Sequence, residues 1–445
     1  MTEIFKYFLF HFINEMMKKI LSKSAITKTQ ATILIGIIVI IAIVGIAYYA
    51  TLPPPGPPPP APKPVIKVGL LWPVTGALAL IGRDQVNAFD LVIDEVNAAG
   101  GIKSLGGARI ELVLGDTKGD PKTGAAEAER LITETKVHVL VGAYQSAVTA
   151  TCSEVAERYG IPFLNPDSTS PGLTARGFKW FFRTTPHDAI LVKNMVDMVA
   201  DIEKKEGVSL KKIAIVYENT LWGIDSAKVI KEYAPTLGYQ IVLDLPYPAG
   251  ATDLSSEVLK LKATEHDVLM QASYLSDAIL FTKTFKELGY WPKLWIANDA
   301  GHIHPDYVKT LGKAADYVFS REVFCADLGA VKPAIKEANN KFKARYGYDM
   351  DGTMARAYTA ALLLVDVLER AGSTKPEDIQ KAFKATDWPE EKVPMPWKGI
   401  KFDDTGQNIK GVGIIVQILD GKARTVWPFT IATTPYKWPV KAPWS

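Results

Sequence analysis

Residues 66–102 read IKVGLLWPVTGALALIGRDQVNAFDLVIDEVNAAGGI, and this stretch decides the fold class. Its first seven residues form an almost continuous apolar run, as a strand buried on both faces requires. The run stops at Pro73, and Gly76 marks a loop. From 84 to 99 the apolar residues recur at helical spacing. A strand, a Pro/Gly loop and a helix in that order make the opening half of a parallel βαβ unit.

Working outward, the same unit repeats. Strands are expected at 109–115, 137–142 and 162–165, with helices at 122–135 and 147–159. After a short strand at 180–183 the pattern restarts. Strands at 212–217, 240–245, 268–271 and 294–297 alternate with helices at 224–234, 254–263 and 278–288. Two consecutive doubly wound units give an α/β chain of two lobes with a cleft between them. The 445 residues also exceed what one hydrophobic core organises. In open parallel sheets the ligand lies beyond the carboxyl ends of the strands. That rule points to loops 72–82, 142–146, 165–171, 218–223, 272–277 and 298–302. The last third differs, with helices at 332–346, 354–371 and 376–385, then strands at 400–402 and 412–417. The expected division is 65–185 with 325–395 as the first lobe, 186–324 with 396–430 as the second, and 431–445 as a tail.

The N-terminal part is of another kind. Residues 31–50, ATILIGIIVIIAIVGIAYYA, carry no charge over twenty positions. As a helix they span about 30 Å, the thickness of a bilayer core. Lys6, Lys18, Lys19, Lys23 and Lys28 all precede this segment, and none follows until Lys63. The positive-inside rule then keeps 1–30 in the cytoplasm and sends the large domain outward. The expectation is a single-pass cell-membrane anchor. A cleaved secretory signal is the competing reading, but its apolar region is shorter and ends in small residues rather than Tyr48-Tyr49. No cysteine follows the segment for lipid attachment. The linker 51–64 contains LPPPGPPPPAPKP, nine prolines in thirteen residues. Such a run reads as a polyproline II stalk of about 40 Å.

Charge narrows the partners. The net charge of +3 equals the excess of residues 1–50, so the rest of the chain is neutral overall. No basic stripe remains for nucleic acid. The two cysteines, Cys152 and Cys325, have no metal-like spacing. They read as buried free thiols, with a disulfide as the alternative. No G-x-S-x-G, H-E-x-x-H, P-loop or C-x-x-C pattern appears. His302 and His304 are the one close histidine pair, and a surface loop is the expected reading. No enzyme chemistry, cofactor or metal is expected.

From 65 to about 429 the chain resembles the leucine/isoleucine/valine-binding protein family, type I periplasmic binding proteins that serve ABC importers. The likeness is carried by IKVG at 66–69 through Thr75-Gly76 and Gly82, VNAAGGI at 96–102 and DPK at 120–122. LTARG at 173–177, FRTT at 182–185 and FDDTG at 402–406 complete it, in order and at matching spacing. The resemblance implies two Rossmann-like lobes joined by a multi-strand hinge. It implies a monomeric capture subunit that takes an amino acid or analogue from outside the cell and presents it to ABC permease subunits.

The resemblance also implies a site. Ser146 stands where a loop residue binds the α-carboxylate, and it lies at a helix start where free amides favour an anion in any case. Asp167, Ser168 and Thr169 lie in the loop that supplies carbonyls and hydroxyls to the head group. Asp299 falls where an acidic residue pairs with the ligand ammonium, a plain helix cap being the alternative. Trp222 and Tyr274 match aromatics that cover the ligand. Ile81 and Trp72 stand at two further pocket positions. Here the chain departs from the family, with Ile81 in place of an aromatic, bulky Trp72 in place of a small residue, and Asp167 likewise. The cysteine pair of some members is absent, Gly119 and Gln145 occupying those places. A ligand outside leucine, isoleucine and valine is consistent with these changes, and amides or aromatic acids are alternatives. A sensory ectodomain on the same fold is the other functional class, and it requires a partner chain for output.

Overall fold

The computed structural model describes His11, Asn14, Glu15, Lys18, residues 27–51 and residues 65–444. The proline-rich stretch 52–64 and most of the expected cytoplasmic segment lie outside the described residues. Lys28–Thr51 forms one helix of 24 residues with no buried position. By length and composition it can cross a bilayer.

From 65 onward the chain builds two sheets. The first has five parallel strands in the order β2-β1-β3-β4-β5. They are β1 Val65–Trp72, β2 Arg109–Asp116, β3 Val139–Gly142, β4 Phe163–Asn165 and β5 Phe181–Arg183. The second has seven strands in the order β14-β13-β10-β9-β8-β6-β7. These are β6 Lys212–Glu218, β7 Gln240–Tyr247, β8 Val268–Ala272, β9 Leu294–Asn298, β10 Phe319–Glu322, β13 Ile414–Leu419 and β14 Lys422–Trp427. β6 to β10 are parallel; β13 and β14 add an antiparallel edge. Each sheet reverses its winding beside its first strand, β1 or β6, and the crevice of a doubly wound sheet opens at that point.

The apolar run of β1 is explained by this position. Ile66, Val68, Leu70 and Trp72 face one side with Phe89 of helix Ala79–Ala98. Leu71 faces the other, with Leu131 and Val148 of helices Pro121–Thr133 and Ser146–Tyr159. Both faces are covered, so the strand shows no polar alternation. Gly82 lets helix Ala79–Ala98 approach the preceding loop, since a Cβ there would lie 2.1 Å from the Pro73 carbonyl oxygen. The helix starts five residues before the expected 84.

Helix Asp188–Glu206, absent from the expected element set, packs on helix Leu221–Tyr233. Helix Gly352–Ala371 lies against helix Ala79–Ala98 and is buried along most of its length. The chain therefore passes between the two sheets three times: after Arg183, after Glu322 and before Ile414. The expected assignment of 396–430 to the second lobe does not match the packing of its first part. Ile400–Lys401 (β12) pairs with Asp387–Trp388 (β11), not with the second sheet. Phe402 packs edge-on to Phe182 at 5.4 Å. Arg183 N donates to Gly406 O at 2.8 Å, and Gly406 has φ +77° with no room for a Cβ against Phe181 O. Aromatic burial against β5 outweighs the weak strand pattern of this segment. Two motifs far apart in sequence, FRTT and FDDTG, thus meet at one crossing.

Candidate functional site

One cavity collects the carboxyl ends of strands from both sheets. It is lined by Tyr144 and Ser146 after β3, Asp167, Ser168 and Thr169 after β4, and Trp222 after β6. Tyr274 after β8, Asp299 and Ala300 after β9, Arg321 in β10 and Arg356 in helix Gly352–Ala371 complete it. The space is small, ≈ 20 Å³, about enough for a single water. The two lobes are closed on one another, with Tyr144 of the first 5.8 Å from Tyr274 of the second, ring to ring.

On the first lobe, loop 166–171 is held from beneath. Arg183, fully buried, donates from Nη1 to Ser168 O (3.0 Å) and Ser170 O (2.6 Å), from Nη2 to Thr174 Oγ1 (3.0 Å) and from Nε to Gln407 Oε1 (2.7 Å). Burial lowers its pKa to about 9, so it stays cationic at neutral pH. Ser146 is the first residue of its helix, not the residue before it, and the flanking Gln145 makes no side-chain cap. Its Oγ accepts from Ser170 N at 3.3 Å, tying the start of this helix to loop 166–171. Ser168 Oγ lies 2.6 Å from Thr149 Oγ1.

On the second lobe the chemistry is ionic. Asp299 has φ +57° and ψ −146°, a region that residues other than glycine rarely enter. Its N donates to Ser320 Oγ at 3.2 Å, and its Oδ1 accepts from Ala300 N at 2.6 Å. Oδ2 accepts from both Arg321 Nη1 and Arg356 Nη2. Burial opposes ionisation of Asp299, but the Arg356 and Arg321 guanidinium groups outweigh it and its pKa is lowered. Arg321 is further held by Asn298 Oδ1 at 2.5 Å and Asp188 Oδ1 at 3.3 Å. Arg356 also reaches Asp167 Oδ1 at 3.3 Å and Glu322 Oε2 at 3.7 Å. Burial, only partly offset by Arg356, pushes Asp167 up to about 7. Burial and then Asp299 push Glu322 well above the carboxylate range.

The aromatic cover is Tyr144, Tyr274 and Trp222, with Trp222 and Tyr274 5.0 Å apart. The structure therefore brings Ser146, Asp167, Ser168, Thr169, Trp222, Tyr274 and Asp299 around one cavity. It does not bring Trp72 or Ile81 there. Trp72 shares the inner face of β1 with Val68 and Leu70, and it packs edge-on to Phe89 at 5.8 Å. Ile81 is buried in the same cluster. Strand alternation sends Trp72 into the core, although it stands at the carboxyl end of the strand.

Arg321 and Arg356 were missed by sequence reasoning. A signal exists for Arg356, which interrupts the apolar run MARAYTAALLLV at 354–365, whereas Arg321 sits in the mixed stretch FSREVF at 319–324. An arginine in such a row is buried only if carboxylates meet it. The expected surface loop at His302 and His304 is instead buried. His302 lies edge-on to Trp295 at 5.6 Å, and His304 Nε2 is 3.4 Å from Asp84 Oδ2. Among the described residues no cluster of three metal-ligating side chains occurs. Cys152 and Cys325 are buried free thiols.

Known proteins share this architecture. A family model described as periplasmic binding protein matches residues 65–422. A Leu/Ile/Val-binding protein homolog of Brucella abortus is 33% identical over 370 residues, which are 82% of this chain and 90% of that one. The branched-chain amino acid transporter substrate-binding protein LivJ of Streptococcus pneumoniae, solved with isoleucine, superposes with a TM-score of 0.71 at 24% identity, covering 81% of this chain and 97% of its own. A solute-binding protein from R. palustris, solved with 4-hydroxybenzoate, gives a TM-score of 0.68 at 20% identity, covering 81% and 95%.

Proposed function

Because the chain belongs to the periplasmic binding protein family over residues 65–422, we propose that it is the extracytoplasmic capture subunit of an ABC importer for an amino acid-like solute. The observation that carries this reading is Asp299. A buried carboxylate that lines the cavity from a backbone conformation disfavouring every side chain suits a ligand contact. Across the same cavity stands the start of helix Ser146–Tyr159, where free amides favour an anion. A cation site and an anion site facing one another across an aromatic-lined gap suit a zwitterion.

Capture follows from the two-lobe construction. In the open form the solute docks its carboxylate at Ser146 and loop 166–171. Closure then brings Asp299 to the ammonium and Tyr274 and Trp222 over the remainder, excluding water. A closed form exists with the charges of the second wall already neutralised by Arg321 and Arg356. The solute shifts the population toward closure only by its differential affinity for that form. Permease subunits that contact both lobes would read the closed state. The helix Lys28–Thr51 anchors this domain to the outer face of the membrane, which the cytoplasmic lysines orient.

Isothermal titration of the full-length protein in detergent against the standard amino acids, amides and aromatic acids tests the reading. Saturable binding of at least one amino acid is expected. Binding confined to solutes without an ammonium group would overturn it.

A further inference from the structure

Resting on the amino-acid reading above, one residue outside the cavity bears on how an ammonium is received. We propose that Asp188 is a positioning residue of the solute site: it takes up the Arg321 guanidinium and so leaves the Asp299 carboxylate able to receive the ammonium.

Asp299 stands in the middle of a chain of charges. Its Oδ2 accepts from Arg321 and Arg356. Each guanidinium has a second carboxyl at 3.3 Å, Asp188 for Arg321 and Asp167 for Arg356. The order Asp188, Arg321, Asp299, Arg356, Asp167 thus alternates acid and base and ends in a carboxyl on both sides. An ammonium arriving at Asp299 takes a share of that carboxylate from both guanidinium groups. They can yield it because each keeps a partner, which a buried guanidinium requires. Asp167 lines the cavity and can meet the solute directly. Asp188 is not among the lining residues, so its part is played through Arg321.

A ring of hydrogen bonds holds Asp188 in place. Ser226 Oγ donates to Asp188 Oδ2 at 2.8 Å, and Asn298 Nδ2 donates to Ser226 Oγ at 2.9 Å. Arg321 Nε donates to Asn298 Oδ1 at 2.5 Å, and its Nη2 closes the ring on Asp188 Oδ1 at 3.3 Å. All four side chains are buried. The single hydroxyl proton of Ser226 goes to Asp188, so the amide of Asn298 turns its NH2 to Ser226 and its carbonyl to Arg321. The other three members of the ring touch the site. Asn298 precedes Asp299, Arg321 holds it, and Ser226 belongs to helix Leu221–Tyr233, whose first turn carries Trp222. Asp188 itself begins helix Asp188–Glu206 and donates from its N to Thr169 O at 2.8 Å. The residue that anchors the ionic wall is therefore bonded to the first-lobe loop as well.

The charge at 188 is what the ring needs from this residue. Asp188→Asn keeps the shape and leaves Arg321 with Asp299 as its one carboxylate partner, so an ammonium must compete with the full guanidinium. The loss is reversible by design. Asn298→Asp returns a carboxylate to Arg321, the amide at 188 then donates to Ser226, and Ser226 donates to the carboxylate at 298. The ring closes in the opposite sense.

The test uses the full-length protein in detergent and pairs of solutes that differ by the ammonium group: L-leucine against isocaproate, L-phenylalanine against hydrocinnamate and L-glutamate against glutarate. In isothermal titration Asp188→Asn is expected to weaken the amino acid of a bound pair roughly tenfold while its des-amino partner stays within about twofold. Adding Asn298→Asp to that variant should restore most of the lost affinity. If Asp188→Asn does not fold, the double variant and Ser226→Ala decide the matter: the first should keep the preference for the amino acid, and the second should reduce it severalfold. An amino-acid affinity untouched by Asp188→Asn, an equal fall for both members of a pair, or a double variant no tighter than the single one overturns the proposal and leaves the amino-acid reading intact. So does a preference that Ser226→Ala does not change. Absence of binding by every amino acid overturns both.

Discussion

Loop 166–171 on the first lobe and loop 298–302 on the second follow the fourth strand of their respective parallel runs, yet they face the cleft with different chemistry. The first offers hydroxyls, carbonyls and the Asp167 carboxyl, whose ionisation burial opposes, and Arg183 clamps it from beneath the surface. The second puts the charge itself into the cavity, at Asp299, and neutralises it with Arg321 and Arg356. Topology places a loop at a cleft; what the loop can do depends on which residue sits at the strand end and which counter-charges reach it. An ionic wall is also the more vulnerable one, because removing one partner strands the others in low dielectric.

The largest effect is expected from Asp299→Ala. It leaves two buried guanidinium groups without their common anion and should lower unfolding stability by ~3–5 kcal/mol, read by urea denaturation, with solute binding lost. Arg183→Met attacks the first wall. It removes four buried hydrogen bonds at once, and a loss of about 2–3 kcal/mol is expected. If Arg183→Met proves more damaging than Asp299→Ala, the first wall is the more vulnerable of the two. Tyr274→Leu removes an aromatic that bridges both walls. Its expected effect is on affinity, about 1 kcal/mol or roughly fivefold, with the melting temperature little changed.

The smallest expected effect concerns pH. Asp167 is held up to about 7 by burial, whereas an unfolded chain ionises its aspartates near 3.9. The folded state thus keeps a proton that the unfolded state has released. Its contribution is full below about pH 4 and is lost as pH rises toward 7, so stability falls across that window. Asp167→Asn should make the fall shallower between pH 4.5 and 7. Glu322 and Asp188 are shifted the same way, so part of the slope remains. Identical slopes for the two proteins would show that Asp167 does not titrate in that window.

Much of this was legible because strand and helix periodicity are local. The apolar run of 66–72 and the helical spacing after it depend only on neighbours in sequence, and their repetition names the architecture. The loops at strand ends were legible for the same reason, and within them Ser146, Thr169, Trp222, Tyr274 and Asp299 were named by the resemblance to the family. Trp72 satisfied that rule too and still points into the core, because alternation along β1 assigns its face. Arg356 satisfied no such rule. It lies in a helix that reads as packing, 57 residues beyond Asp299, and only the folded chain brings the two together.

Alone, the sequence determined the α/β class, the pair of lobes, the apolar helix before them and the loops that form the cleft, since each rests on local pattern and hydrophobic burial. Tertiary structure decided that residues 400–408 belong beside β5 and that Trp72 and Ile81 are core. It also decided that the cleft contains two arginines converging on one carboxylate. Those are outcomes of long-range burial, where a charge is tolerated only if a distant partner meets it. No stretch of sequence read by itself can supply that partner.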